Sequence, residues 1–105
     1  MNKKIFLKTI EGYFARNLET IKKKNNDYAG DENCDVFKNF NLVEYLGICS
    51  VEQGILVRMC DKMSRVSTLL NTDGSVLDEK IGDTLDDLAN YSMILKAFLE
   101  QKTAK

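Results

Sequence analysis

Residues 50–70, SVEQGILVRMCDKMSRVSTLL, contain the clearest helix signal in this sequence. Ser50 followed by Gln53 has the spacing of a capping box, in which two side chains satisfy free N–H groups at the start of a helix. Apolar residues then recur every three or four positions, which predicts one buried helix face. This apolar stripe consists of Val51, Ile55, Met59, Met63, Val66 and Leu70. The turn-forming residues 71–75 follow, so the segment predicts an amphipathic helix that other helices must cover.

Three further segments show helical periodicity, and no segment alternates with a period of two. One helix is predicted from Lys3 to Lys24, with a loop over Tyr28 to Asn33 after it. A shorter helix is predicted to start at Asp35 as the N-cap and to stop at Gly47. The last is predicted from Asp78 to Gln101. The predicted fold class is therefore all-α, a four-helix bundle.

The last predicted helix has two apolar faces. The first consists of Ile81, Leu85, Leu88, Leu95 and Leu99, and the second of Tyr91, Ile94 and Phe98. A helix that is apolar on two sides is covered by more than one neighbour. It is either the central helix of a monomer or the seam of a homodimer. We prefer the homodimer, or a higher homo-oligomer, because a chain of 105 residues buries a limited core by itself.

The composition is that of a soluble globular protein with one domain, residues 1–105. Hydrophobic residues make up 44% of the chain, charged residues 30%, and the net charge is −1. This balance gives no reason to expect direct nucleic-acid binding or attraction to an anionic membrane. No signal peptide or membrane-spanning run is visible, so a cytoplasmic location is predicted.

Absent residues restrict the chemistry. The chain has no histidine, which excludes mechanisms based on a Ser-His or Cys-His pair. It also has no proline, which suits long helices. The three widely spaced cysteines indicate neither a disulfide framework nor a zinc site, and Cys60 is interpreted as a small core residue.

An acidic stripe is predicted on the last helix. Glu79, Asp83, Asp86 and Asn90 are spaced 4, 3 and 4 residues apart, and Asp87 lies on the flank. Carboxylates at these spacings repel each other. A bound Mg²⁺ would offset that repulsion, because this ion prefers oxygen ligands. The alternative is a solvated acidic face.

A complementary basic cluster is predicted on the helix over residues 50–70. Arg58, Asp61, Lys62 and Arg65 share one face. Asp61 could add a carboxylate to a metal site, and the three cations could bind phosphate oxygens. The alternative is internal pairing of Asp61 with Arg58 and Arg65. Together, the acidic and basic faces predict a metal and a polyanion between two helices.

Aromatic residues lie on both sides of the predicted loop. Tyr28, beside Gly30, is the better candidate for stacking on a base, whereas Phe37 and Phe40 are interpreted as core residues of the short helix.

Four runs of the sequence resemble a known family. Residues 24–30, KNNDYAG, and 37–40, FKNF, come first, followed by GILVRMCDKMSR at 54–65 and DEKIGDTLDDLANY at 78–91. These runs resemble the nucleotide-modification-associated domain of phage and bacterial proteins. That domain is related to the MazG-like all-α nucleoside triphosphate pyrophosphohydrolases, which use Mg²⁺ to release a nucleoside monophosphate and pyrophosphate and which work as oligomers.

The resemblance implies roles for particular residues. The implied metal ligands are Asp61, Glu79, Asp83 and Asp87, with Glu79 or Asp83 as the catalytic base. The implied phosphate-binding residues are Arg58, Lys62 and Arg65. The implied nucleoside-binding residues are Lys24, Asn26, Tyr28 and Asn90. The pyrophosphohydrolases usually carry two or three glutamates on the preceding helix, where this chain has Asp61, with Glu52 at the helix start.

Three functions remain open from the sequence. The preferred one is a Mg²⁺-dependent pyrophosphohydrolase acting on nucleotides in a phage-like setting. The second is a non-catalytic module that binds a nucleotide or a cyclic-nucleotide second messenger and sequesters a host immune signal. The third is a helical interaction protein whose acidic face meets a basic partner.

Overall fold

The computed structural model describes residues 1–29, 35–71 and 79–104, with side chains for 1–25, 35–71 and 81–104. The described residues contain four helices and no strand, which confirms the all-α class. The helices are α1 (Lys3–Ala29), α2 (Lys38–Tyr45), α3 (Val51–Leu70) and α4 (Glu79–Thr103). No helix in these ranges is both long and apolar enough to cross a membrane.

The chain forms two compact units, Met1–Lys38 and Asn39–Lys105. The first unit contains α1. Just before this helix, the Asn2 side chain accepts a hydrogen bond from the Ile5 backbone N–H and so caps the helix start. The predicted end of this helix at Lys24 was wrong, because α1 continues to Ala29. Asn and Asp lower helix propensity only modestly, and no proline interrupts the helix before Gly30. Tyr28 therefore lies in the last turn of α1 and not in a loop, whereas the rest of the predicted loop, residues 30–33, lies outside the described residues.

Helix α2 begins three residues later than predicted. The Asp35 side chain accepts from the Phe37 backbone N–H at 2.9 Å, and the Asp35 carbonyl accepts from Lys38. Asp35 thus stabilises a tight turn before the helix and is not its N-cap. Gly47 has φ +75, a left-handed conformation that favours glycine, so the predicted stop is confirmed.

Helix α3 begins as predicted. The Ser50 hydroxyl accepts from the Gln53 backbone N–H at 3.1 Å, and the Gln53 side chain accepts from the Ser50 backbone N–H at 3.1 Å. The Glu44 carboxylate of α2 accepts from the next N–H of this helix start, that of Val51. Three of the free N–H groups at this helix end are therefore satisfied by side chains.

The packing of α3 on α4 forms the core of the second unit. Glu52 near the start of α3 pairs with Lys102 near the end of α4, so the two helices run antiparallel. Val51, Ile55 and Ile81 are buried in this unit. Helix α2 also packs closely on α3, since a methyl group added at Gly54 of α3 would lie 2.9 Å from a methyl carbon of Val43 of α2.

Several predicted core positions were wrong. Met63 and Leu70 of α3 and Leu85 and Leu99 of α4 are exposed, and so is Cys60. The contact between two helices covers a narrower face than the apolar sequence pattern suggests. On α4 the side chains of Tyr91, Ile94 and Phe98 are half-buried. The second apolar face of that helix is therefore a packed one.

Candidate functional site

One ion pair joins the predicted basic cluster to Asp87, which lies on the flank of the predicted acidic stripe. The Lys62 ammonium of α3 lies 3.0 Å from a carboxylate oxygen of Asp87 of α4. These side chains are only 25% and 27% exposed, so water screens the pair less than it screens a surface pair. A basic residue of α3 and an acidic residue of α4 therefore face each other.

An aromatic pair lies beside the same helices. The ring of Phe40 meets that of Tyr91 edge-on, with centroids 6.4 Å apart. The guanidinium carbon of Arg58 lies 4.7 Å from the centroid of the Phe40 ring, a distance typical of a cation–π contact. Arg58, predicted to bind phosphate, is thus held over an aromatic face. Because Lys62 is one turn after Arg58, and Asp87 one turn before Tyr91, all five side chains belong to one continuous patch.

Asn90 of α4 is a buried polar residue next to this patch. Only 8% of this residue is exposed. Every fully buried polar side-chain atom of the described residues has a hydrogen-bond partner. A side-chain amide carries both a donor and an acceptor, so Asn90 is suited to bind a polar group that approaches the patch.

The other predicted ligands are more open. Asp61, Arg65 and Asp83 are exposed, and Asp86 is half-buried. Among the side chains that the structure describes, no three acidic or cysteine residues form a cluster that could hold a metal ion. Mg²⁺ is often held by only one or two carboxylates, with water and substrate phosphate completing its ligands. The carboxylates on α4 fit it in donor type.

Four predicted site residues cannot be compared with this patch. The side chains of Asn26, Tyr28 and Glu79 lie outside the described ones, although the backbone places Glu79 at the start of α4. Lys24 is an exposed residue of the first unit. Their assigned roles stay predictions.

Sequence reasoning missed the partnership of Phe40 and Tyr91. Phe40 was expected to be a core residue, but it is only half-buried, whereas Phe37 is buried as predicted. The spacing of the aromatic residues in 37–40 indicates a turn of helix, but it does not show which ring meets a cation. That depends on the side chains that α3 and α4 present to the ring.

A second ion pair joins α3 and α4 away from this patch. The hydrogen bond from Lys102 holds the pKa of Glu52 below its ordinary value, and the same bond raises the pKa of Lys102. The Lys102 side chain is exposed and that of Glu52 is half-buried, so solvent reaches this pair through the lysine.

In comparisons with known proteins, no family model, no curated protein and no solved structure matches this chain.

Proposed function

We propose that the patch on residues 39–105 binds the phosphates of a nucleotide together with Mg²⁺, and that the chain is a pyrophosphohydrolase of the MazG-like kind. The observation that carries this proposal is the ion pair between Lys62 and Asp87. The ion pair supports the proposal because it brings together a cation of the kind that binds phosphate and a carboxylate of the kind that binds Mg²⁺. A nucleotide and its metal could replace this pair without leaving either side chain unpaired.

We assign different roles to the residues of the patch and to the carboxylates near it. Lys62 would bind a phosphate oxygen, and Arg58 could add a second contact from its place over Phe40. Asp87 and Asp83, with Glu79 and Asp61 as further candidates, would hold Mg²⁺, which supplies neutralisation of phosphate charge when bound. Asp83 or Glu79 would accept the proton of the attacking water. Asn90 would donate to or accept from the nucleoside.

The alternative is a binding module that does not cut its ligand. It is favoured by the sequence of α3, which has Asp61 where the pyrophosphohydrolases usually carry two or three glutamates. Without several ligands, a metal could stay bound through the nucleotide and yet fail to orient a water. A nucleotide or cyclic-nucleotide second messenger would then be sequestered. In either case we propose that the protein is a homo-oligomer in the cytoplasm.

The test combines binding and turnover. We would measure the affinity of the full chain for a panel of nucleoside triphosphates and cyclic nucleotides by calorimetry, with Mg²⁺ and with a chelator. The same panel would be assayed for released pyrophosphate. Release of pyrophosphate supports the enzyme, whereas tight binding without release supports the binding module.

Matched variants make the result specific. Lys62→Met and Asp87→Asn should each weaken binding on the order of tenfold or more, since each removes a charge-assisted contact. Glu52→Gln breaks the other ion pair between α3 and α4 and should leave the affinity unchanged. If no nucleotide binds in the presence of Mg²⁺, or if all three variants behave alike, the nucleotide proposal is wrong.

A further inference from the structure

The ring of Phe40 joins α2 to both other helices of the second unit. The guanidinium carbon of Arg58 of α3 lies over this ring, 4.7 Å from its centroid. Tyr91 of α4 meets the same ring edge-on. All three side chains are half-buried, so water screens the contact between cation and ring less than it would at an exposed site. A side chain of α2 therefore helps to fix the place of a cation that we assign to phosphate binding.

An arginine held over an aromatic ring keeps donors for an oxyanion. Arginine presents five N–H donors in a planar fork, and stacking on a ring uses the flat face of that fork and not its edges. Phosphate oxygens bind along the edges, often through two parallel hydrogen bonds. The ring also restricts a long side chain before the ligand arrives, which reduces the conformational entropy lost on binding. Contact with Phe40 thus prepares Arg58 for a phosphoryl group.

The two cations of the patch differ in the partner that holds them. Asp87 neutralises the charge of Lys62, whereas the Phe40 ring contacts Arg58 without neutralising it. An oxyanion that binds Lys62 must replace a carboxylate, but one that binds Arg58 can do so while the ring contact is kept. The contact is therefore suited to act in the bound state as well as in the free state.

Helix α2 is held on α3 by a short row of contacts to which Phe40 belongs. A methyl group added at Gly54 would lie 2.9 Å from Val43, and the Glu44 carboxylate accepts from the Val51 N–H. The helix has eight residues, and none of them is buried. Because so short a helix is not stable alone, its position depends on these few contacts.

The contact between Phe40 and Arg58 must act in both directions. If the ring contact strengthens oxyanion binding at Arg58, then the bound oxyanion strengthens the ring contact by the same factor. Short helices with few buried groups open locally more easily than the core of a domain. A ligand at Arg58 should therefore make local opening of α2 rarer.

We infer that Phe40 is a positioning residue that holds the Arg58 guanidinium for a phosphoryl oxyanion, and that the bound oxyanion in turn fixes α2 on α3. This inference rests on the proposed function only in taking Arg58 to bind phosphate. It requires neither a base in the ligand nor cleavage of the ligand.

The experiment measures the affinity of the full chain for inorganic pyrophosphate with Mg²⁺ by calorimetry. Phe40→Leu removes the ring but keeps an apolar side chain, and it should weaken binding about threefold to tenfold, as expected for a partly shielded cation–π contact. Phe40→Tyr keeps the ring and should bind as the wild type does. Tyr13→Leu is the matched control, because it removes the other cation–π contact, that of Arg16 on Tyr13 in the first unit. It should leave the affinity unchanged.

A second background separates positioning from a general loss of structure. In Arg58→Met, the change Phe40→Leu should cause no further loss of affinity, because no guanidinium remains to be positioned. A merely structural role of the ring would weaken binding in both backgrounds. Helical content by circular dichroism is followed in every variant.

Hydrogen exchange tests the reciprocal effect on α2. Saturating pyrophosphate should slow exchange of the α2 backbone amides in the wild type and in Phe40→Tyr. In Phe40→Leu the same amides should show a smaller change or none, because the link between Arg58 and α2 is lost.

The inference is overturned if Phe40→Leu binds pyrophosphate as tightly as the wild type, or if it weakens binding equally with and without Arg58. It is also overturned if the wild type does not bind pyrophosphate or if binding leaves exchange in α2 unchanged. The proposed function is decided separately by the nucleotide panel. Loss of nucleotide affinity in Lys62→Met together with full affinity in Phe40→Leu would leave that function standing and remove the role of Phe40.

Discussion

The Lys62 and Asp87 side chains are each about three-quarters buried. Their contact therefore affects the free energy of unfolding more than a contact between two exposed charges does. Removing one charge leaves the other facing a partly dry surface, and that loss exceeds the Coulomb energy of an exposed pair. The loss of stability on removing one charge therefore measures how well the two side chains are shielded from water, and no ligand is needed to measure it.

We expect Lys62→Met to lower the free energy of unfolding by about 1–2 kcal/mol, between the values for exposed and for buried pairs. Chemical denaturation of the full chain measures this. Lys22→Met is the control, because Lys22 pairs with Glu19 at 3.2 Å where both side chains are more than half exposed. Its effect should be about 0.5 kcal/mol or less. Equal losses in the two variants would show that the interhelical pair is no better shielded than the surface one.

Glycine positions in α3 and α4 give a second prediction at this scale. Gly54→Ala should lower the free energy of unfolding by about 1 kcal/mol, because the added methyl meets the stiff side chain of Val43 at 2.9 Å. Gly82→Ala, where nothing lies within 4 Å, should raise it by about 0.5–1 kcal/mol through helix propensity. Both are read from denaturant midpoints.

Relief of the contact provides the check on Gly54. Adding Val43→Ala to Gly54→Ala should cost less than the sum of the two single changes, since the smaller side chain makes room for the methyl. Strict additivity would argue against a close approach of α2 to α3 at this point.

Between elements, the antiparallel pairing of α3 and α4 ends in the Glu52–Lys102 bridge. The pKa of Glu52 is lowered from its ordinary value of 4.5, so its contribution to stability is complete above that pH. It is lost as the pH falls through the lower pKa of the folded state. The pKa of Lys102 is raised above 10.5, so its contribution is complete below that value and is lost as the pH rises through the folded-state pKa.

We therefore expect the advantage of the wild type over Lys102→Met to be complete above pH 4.5 and to disappear as the pH falls through the lowered pKa of Glu52. Thermal melts of both proteins between neutral and acidic pH measure it, and NMR titration of the Glu52 carboxyl shows the lowered pKa directly. A difference in stability that persists in acid would assign the effect of Lys102 to packing of its long chain and not to its charge.

The helices differ in how well their boundaries and burial could be predicted from the sequence. The start of α3 was predictable because a capping box is a local arrangement that depends only on Ser50 and Gln53. The start of α2 was not, because Asp35 can cap a helix or stabilise a turn with the same side-chain oxygen. The burial of Met63 was overestimated, since periodicity shows which residues are apolar and not how wide the covered face is.

The candidate site shows the same division. Spacing placed Arg58 and Lys62 on one face of α3 and Asp87 on the flank of the acidic stripe of α4, and the structure joins Lys62 to Asp87 in an ion pair. The stacking of Arg58 on Phe40 could not be predicted, because it joins α3 to a ring on α2. The near-complete burial of Asn90 likewise depends on neighbours that the local sequence does not specify.

For the whole molecule, self-association links stability to concentration. If the chain is a homo-oligomer, as proposed above, the melting temperature should rise with protein concentration, because dissociation favours unfolding at high dilution. Melts at concentrations about tenfold apart, followed by circular dichroism, measure this. A melting temperature independent of concentration in the wild type would indicate that each chain unfolds alone.

The neighbouring order of α3 and α4 along the chain has a consequence for kinetics. Within the described residues these two helices form the principal helix–helix contact, so few distant segments must meet during folding. Chains dominated by local contacts fold in microseconds to milliseconds. Because the sequence has no proline, no slow isomerisation of a peptide bond is expected to delay the process. Refolding should thus show a fast first-order step followed by a slower second-order encounter between chains, whose rate alone depends on how concentrated the sample is.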